Sequence, residues 1–346
     1  MYLNSFNYFR ALAIIFIVAG HSVSAADVEY NSVFSLTIGN IIAGGTTLFV
    51  FISGFLFHHI FYKKYVYQKF LVNKFRNVLI PYLILSFAPI LLHVIAQSDN
   101  FGEYFLPAGE SFFSIYITPY FQYLWTGRML NGYWYIPFII VTFLLSPVHI
   151  AFIRVSPQIR ILLILVSLLA ATLIQRPVDN LSVFQSVIFF TPVYLIGIAC
   201  SIHKEQIWTT LAGKEPWLLV IVITLAYIQA ALGKGGNYHS DFFQFNGLDL
   251  QLLQKLVLCL FFMVLLHRWE GREWKWLGVI ADTSFAIFFL HAIPLFVIRK
   301  LKGDFVFDYP WLIYPLLVIG IIILCVAIAT LLKKIMGQRS RFITGY

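Results

Sequence analysis

Apolar residues in this chain neither alternate nor follow a single helical stripe; they fill windows of about twenty residues, separated by short polar or charged connections. The windows fall at about 8–25, 36–60, 78–97, 133–152, 159–176, 183–203, 216–233, 250–267, 279–299 and 311–332. Each is long enough to cross a bilayer as a helix, because the hydrocarbon core is about 30 Å thick and a helix rises about 1.5 Å per residue. The pattern predicts an all-α, polytopic integral membrane bundle of about ten transmembrane helices.

Lysine and arginine orient that bundle, since cytoplasmic loops hold the excess. One side carries Lys63, Lys64, Lys69, Lys74, Arg76, Arg154, Arg160, Lys204, Lys214, Arg268, Arg272, Lys275, Lys333, Lys334, Arg339 and Arg341, sixteen in all; the other carries six, Arg128, Arg176, Lys234, Arg299, Lys300 and Lys302. Both termini are therefore expected in the cytoplasm, and an even number of spans agrees with that.

Composition adds that a water-soluble fold is excluded: the chain is 60% hydrophobic and 11% charged, against about 25% charged in soluble domains. The windows leave no room for a separate core, so 1–346 reads as one membrane-embedded domain. About fourteen residues follow the last span, and no fused extracytoplasmic domain is expected. The net charge of +9 follows from the inner loops and implies no nucleic-acid partner. Cys200, Cys259 and Cys325 lie in different apolar runs, which suggests neither disulfide nor metal site. The first apolar run lacks a cleavage site and is expected to remain.

Ionisable groups inside spans carry the chemistry, because each is expensive to bury in lipid. Arg10 and His21 stand eleven residues apart in the first window. Eleven steps of about 100° bring both to one face, roughly 16 Å apart along the axis. His291 lies within the ninth apolar run at a comparable depth, so the two histidines are candidates to share a polar cavity. His58, His59, His93 and His149 lie near span ends and read as interfacial. Gly44-Gly45-Thr46-Thr47 and Ser53-Gly54 supply small residues for close helix approach. From Lys63 to Arg76 five cations fall in fourteen residues, a density suited to an anionic cytosolic ligand as well as to an inner loop. The outer connection of about 98–132 is rich in aromatics, Phe101, Tyr104, Phe112, Tyr116 and Trp125 among them, as at a membrane interface or a sugar-stacking surface. Neither an internal repeat nor the paired broken helices of many transporters is evident.

Together these segments resemble the acyltransferase-3 family, bacterial membrane acyltransferases that modify cell-surface glycans. Arg10 and His21 match its first-helix Arg-x10-His motif within Phe9-Arg10-Ala11-Leu12-Ala13-Ile14. The run from Leu48 to Leu56 is similar to its second-helix signature, and Phe70 to Tyr82 to its basic loop and third helix; Tyr133-Trp134-Tyr135, Tyr194-Leu195-Ile196-Gly197 and Ser284 to His291 follow in the family's order. Asn7 stands where an aspartate is common, Phe288 where a tyrosine is usual, and Lys74 and Arg76 where arginines are denser.

The resemblance implies a bacterial inner-membrane enzyme that moves an acyl group, most often acetyl, from acetyl-CoA or another acyl-CoA at the cytoplasmic face to a hydroxyl of a glycan or lipid-linked saccharide. It needs no tightly bound cofactor and no metal. Arg10, Lys69, Lys74 and Arg76 are the expected acyl-CoA ligands, and His21 the catalytic acid–base, since imidazole exchanges protons near neutral pH. An acyl-histidine intermediate is equally consistent. His291 either orients His21 or the acceptor, or makes a structural hydrogen bond. Ser53, Trp134, Tyr135 and Ser284 are candidates for substrate contact, the serines also for helix packing. The competing expectation is a transporter or flippase that exports a glycan, with buried histidines relaying protons.

Overall fold

The computed structural model describes residues 3–96 and 103–346, so Asp99 and Phe101 of the aromatic connection lie outside the described residues. In chain order the helices are α1 (Asn4–Ser22), α2 (Val33–Ile42), α3 (Gly45–Leu56), α4 (Tyr67–Lys74), α5 (Ile80–Ala96), α6 (Thr118–Thr126), α7 (Tyr135–Leu144), α8 (Ser146–Arg154), α9 (Pro157–Ile174), α10 (Val183–Ile202), α11 (Lys204–Leu211), α12 (Glu215–Ala231), α13 (Leu250–His267), α14 (Lys275–Leu290), α15 (Ala292–Lys302), α16 (Pro310–Met336) and α17 (Arg341–Thr344). Two residue pairs, β1 (Arg176–Pro177) and β2 (His239–Ser240), run parallel to each other. Local chemistry sets the helix starts. Ser32 and Ser35 form a reciprocal capping box on α2, Ser182 and Asp249 accept N–H bonds from Gln185 and Leu252 at the heads of α10 and α13, and proline occupies the first turn of α9, α12 and α16.

Among the described residues six helical stretches are long and apolar enough to cross a membrane: 33–64, 67–96, 157–174, 183–202, 250–267 and 310–344. Counting each of three bent pairs as one span, α7–α8 at 56°, α11–α12 at 90° and α14–α15 at 49°, brings the total to as many as nine. The first window falls below that standard because α1 carries Asn4, Ser5, Asn7, Arg10 and His21. It lies among α3, α13, α14 and α16 instead of facing lipid.

Several helices are broken, contrary to the expectation of continuous spans. The second window divides at Ala43-Gly44, where Gly44 has φ +79°, the fourth at Leu145 ahead of Pro147, and the ninth at His291 ahead of Pro294. Two π-helical turns, Phe57–Phe61 and Phe75–Leu79, flank α4. His93 and His149 are buried, not interfacial. The chain around Met129 folds back over α5, so that His93 Nε2 lies 3.0 Å from the Met129 carbonyl. The bend after α7 turns α8 against α10, which sets His149 against Tyr194.

The most intimate crossing joins α3 and α10. A Cβ on Gly54 would lie 2.1 Å from the Tyr194 carbonyl oxygen, and one on Gly197 2.3 Å from that of Phe51. Only glycine fits both positions, which is the close-approach role its place in the pattern predicts.

The two chain ends share one end of the bundle. Asn4 and Ser5 N–H groups donate to the Glu270 carboxylate at 2.6 and 2.9 Å, the Tyr8 hydroxyl donates to the Arg272 carbonyl, and α17 packs on α5 and α14. With α4 there as well, we call this the basic end. His21, Asp27 and Lys302 lie at the far end.

Candidate active site

Three cavities are arranged along the axis of α1. At the basic end a surface basin of about 800 Å³ is lined by Lys69 and Arg76 of α4 and its π turn and by Arg339, Arg341 and Phe342 of the C-terminal segment. Arg76 stacks on the Phe342 ring at 4.8 Å. Arg339 and Arg341, which the charge pattern marks only as inner-loop cations, join Lys69 and Arg76 because α17 folds back onto α5.

Farther in, a cavity of about 160 Å³ is lined by Arg10, Ser53, Lys74, Tyr135 and Ser284. The Arg10 guanidinium donates to the Ala281 carbonyl and to the Ser284 hydroxyl, both at 3.0 Å, which ties α1 to α14 while leaving the group on the cavity wall. Ser53 and Tyr135 share the wall of this cavity. The Lys74 ammonium sits over Phe61 and Phe143 at 4.7 Å and Phe70 at 5.4 Å, a cation held by ring faces. The four expected acyl-CoA ligands therefore divide: Lys69 and Arg76 form the rim, Arg10 and Lys74 the interior.

At the far end a cavity of about 200 Å³ is lined by His21, Gly45, Thr46, Trp134, Arg176, Asn180, Asn237 and His239. The His21 and His291 rings lie 5.4 Å apart, as the comparable depth of the two histidines suggests. His291 has no exposed surface. Its Nδ1 faces the Ile287 carbonyl at 2.9 Å, so in the neutral ring Nδ1 carries the proton and Nε2 offers a lone pair. That Nε2 has no protein partner among the described residues. A Cβ built on Gly132 would lie 3.4 Å from His21 Nε2 and 3.7 Å from His291 Nε2, so both nitrogens face the same stretch of backbone. Trp134 and Tyr135 diverge, the first toward His21 and the second toward Ser53.

Several groups fix this end. Arg299 donates to the His21 carbonyl at 3.0 Å and, with the Asn131 amide turned to present its oxygen, to Asn131 at 3.1 and 3.2 Å. Asp27, just after α1, pairs with Lys302 and accepts the Phe307 N–H; the Lys302 hydrogen bond holds its carboxyl below the usual carboxylate range. The break between α2 and α3 opens the first turn of α3 onto the cavity at Gly45 and Thr46, where helix geometry leaves N–H groups without intrahelical acceptors. The carbonyls exposed at the end of α2 are satisfied by two residues of α13. Lys255, fully buried, donates to Asn40 and Ile41 at 3.0 and 2.5 Å, and Gln251 donates to Asn40 and Ala43 at 3.0 and 3.2 Å.

Sequence reading passes over Arg176, His239, Asn180, Asn237 and Lys255. Lys255 is visible in principle, a lysine within an apolar window. Arg176 ends an apolar window and is marked there only as an outer cation; Asn180, Asn237 and His239 lie in connections, where the apolar pattern gives no signal. Between the interior and far cavities α1 is packed shut: Ala13 and Ile14 have no exposed surface.

The apolar bundle thus carries a histidine pair at one end and clustered cations at the other. The family model described as an acyltransferase domain matches residues 3–330, nearly the whole chain, and the protein belongs to the acyltransferase-3 family. No curated protein and no solved structure matches it.

Proposed function

We propose that this acyltransferase is a multi-pass enzyme of the bacterial inner membrane. It takes an acyl group, most simply acetyl, from acyl-CoA at the basic end and transfers it to a hydroxyl of an extracytoplasmic or lipid-linked glycan beside His21. With α1 counted the bundle has ten spans and the basic end is cytoplasmic, as the positive-inside rule favours. The observation that carries this reading is the pairing of functions along α1. Clustered cations surround its basic end, and a histidine pair faces a polar cavity at the other.

Coenzyme A brings phosphate groups, which Lys69, Arg76, Arg339 and Arg341 suit as rim ligands. Arg10 and Lys74 lie deeper and suit the polar part of the arm behind the phosphates. At the far end His21 takes the proton from the acceptor hydroxyl as its oxygen attacks the thioester carbonyl. The C–S bond then breaks and the proton passes to the thiolate, giving an ester and free coenzyme A. The first turn of α3 supplies N–H groups toward the carbonyl oxygen as it gains charge. His291, with its lone pair facing His21, orients that ring. The coenzyme is a co-substrate, and the scheme calls on no metal and no tightly bound cofactor.

The test is transfer of radiolabelled acetyl from acetyl-CoA to a glycan extract of the host by protein purified in detergent. His21→Ala is expected to lower turnover by about 10²–10⁴-fold, the range of a lost acid–base group. Arg76→Ala is expected mainly to raise the KM for the donor. Full turnover in folded His21→Ala would overturn the mechanism.

A further inference from the structure

The far cavity contains a charge that the proton chemistry does not use. Arg176 is 5% exposed, yet among the described residues no carboxylate lies within ion-pair distance of it. Its guanidinium lies 4.6 Å over the Trp134 ring and 5.7 Å from that of Phe190, one terminal nitrogen donates to the Asn180 amide oxygen at 3.1 Å, and Nε is buried without a partner. Its backbone is fixed as well, by the β1–β2 pairing and by the N–H bond to the Tyr238 carbonyl at 3.2 Å. A desolvated cation in a rigid seat is expensive unless an anion completes it. Asp249, the carboxylate whose field reaches it, is committed to the Leu252 N–H at the head of α13.

The rest of the cavity favours the same partner. Among the described residues none lining it is aspartate or glutamate, and the first turn of α3 opens into it at Gly45 and Thr46, adding the positive end of a helix dipole. His239 Nδ1 lies 2.7 Å from the Pro177 carbonyl, so in the neutral ring Nδ1 donates and Nε2 is left to accept from a hydroxyl. Burial, and then the charge of Arg176, push that imidazole below its ordinary value. Asn180 and Asn237 add amide groups. A guanidinium beside hydroxyl-matching amides and an imidazole describes recognition of an acidic sugar unit.

We infer that the acceptor is an anionic saccharide, and that Arg176 binds its carboxylate or phosphate while His21 addresses a neighbouring hydroxyl. This rests on the acyltransferase reading and narrows its substrate class. Arg176 acts here in binding and orientation, so its loss is a defect in acceptor affinity.

The test measures binding and turnover separately, on the full chain in detergent. Binding of methyl glucuronide, glucose 1-phosphate and methyl glucoside is compared for the wild type, Arg176→Gln and Arg176→Lys. Acetyl-CoA binding at the opposite end reports that each variant is folded. At least one acidic probe is expected to bind about 10–100-fold better than the neutral glycoside, as for a lost hydrogen bond to a charged group. That preference should vanish in Arg176→Gln and persist in part in Arg176→Lys. Whether the glucuronide or the phosphate binds better assigns the anion. Equal binding of the neutral glycoside, or an unchanged preference in folded Arg176→Gln, would overturn the inference. Turnover is read on host glycan split by anion exchange: label in the acidic fraction, with a raised KM in Arg176→Gln, supports it, and label mainly in the neutral fraction overturns it. Selective acidic binding with no label from any acyl-CoA would leave the anion site standing and defeat the acyltransferase reading instead.

Discussion

At the residue scale the site depends on groups whose hydrogen bonds leave one face available. His291 is such a group: one nitrogen is fixed on the Ile287 carbonyl and the other faces the Gly132 backbone beside His21 Nε2. His291→Ala is expected to lower kcat by about 10–100-fold with little change in donor KM, because it removes an orienting contact and leaves the acid–base group itself in place; steady-state kinetics with varied acyl-CoA checks this. Lys255 does different work, since its ammonium satisfies the Ile41 carbonyl that the break between α2 and α3 exposes. Lys255→Met should orphan that carbonyl and destabilise the protein by about 1–3 kcal/mol, read as a lowered thermal midpoint in detergent. An unchanged midpoint would mean that Gln251 alone can satisfy the break. His21 and His291 are legible in the sequence because imidazoles inside apolar runs are anomalous. Arg176 is not: it lies at the edge of an apolar window, and only the pairing of β1 with β2 and the stack on Trp134 turn it inward.

At the element scale, the breaks matter more than the spans. Window analysis locates the helices well, since each apolar run does become helical, but it cannot see that α2 and α3 are two pieces. That division depends on Gly44 in a left-handed conformation and on donors supplied two hundred residues later by α13. The crossing of α3 and α10 was partly legible, as small residues in the α3 run. Its tightness was not, because it depends on the mutual fit of Gly54 and Gly197. Gly54→Ala and Gly197→Ala should each push these helices apart. Overpacking of this kind costs about 1–3 kcal/mol or more, and Gly54→Ala also displaces Ser53 from the interior cavity. The expected result is lower folded yield and lower transfer together, seen by size-exclusion profile and activity on the same samples.

Across the whole molecule, charge is sorted by end. Arg339 and Arg341 complete the basic basin with Lys69 and Arg76, so the double variant Arg339→Gln/Arg341→Gln should raise donor KM by about tenfold and flatten its dependence on ionic strength, since exposed charges are screened by salt. Orientation is open to a direct check because Cys200, Cys259 and Cys325 are all buried. A cysteine introduced at Gln338 should escape a membrane-impermeant maleimide in intact cells, while one at Asp304, at the far end, should react; both positions are exposed. Labelling of the first and not the second would invert the topology.

The sealed stretch of α1 has a consequence of its own. A membrane that stores energy as an ion gradient tolerates no open pore, and a catalyst reaching both faces risks becoming one. Ala13 and Ile14 have no exposed surface, and among the described residues the Arg10 cavity and the His21 cavity share no lining residue. On the route proposed above, the acyl chain parts these side chains as it advances and fills the gap it opens, so that the substrate itself is the stopper while the passage is in use.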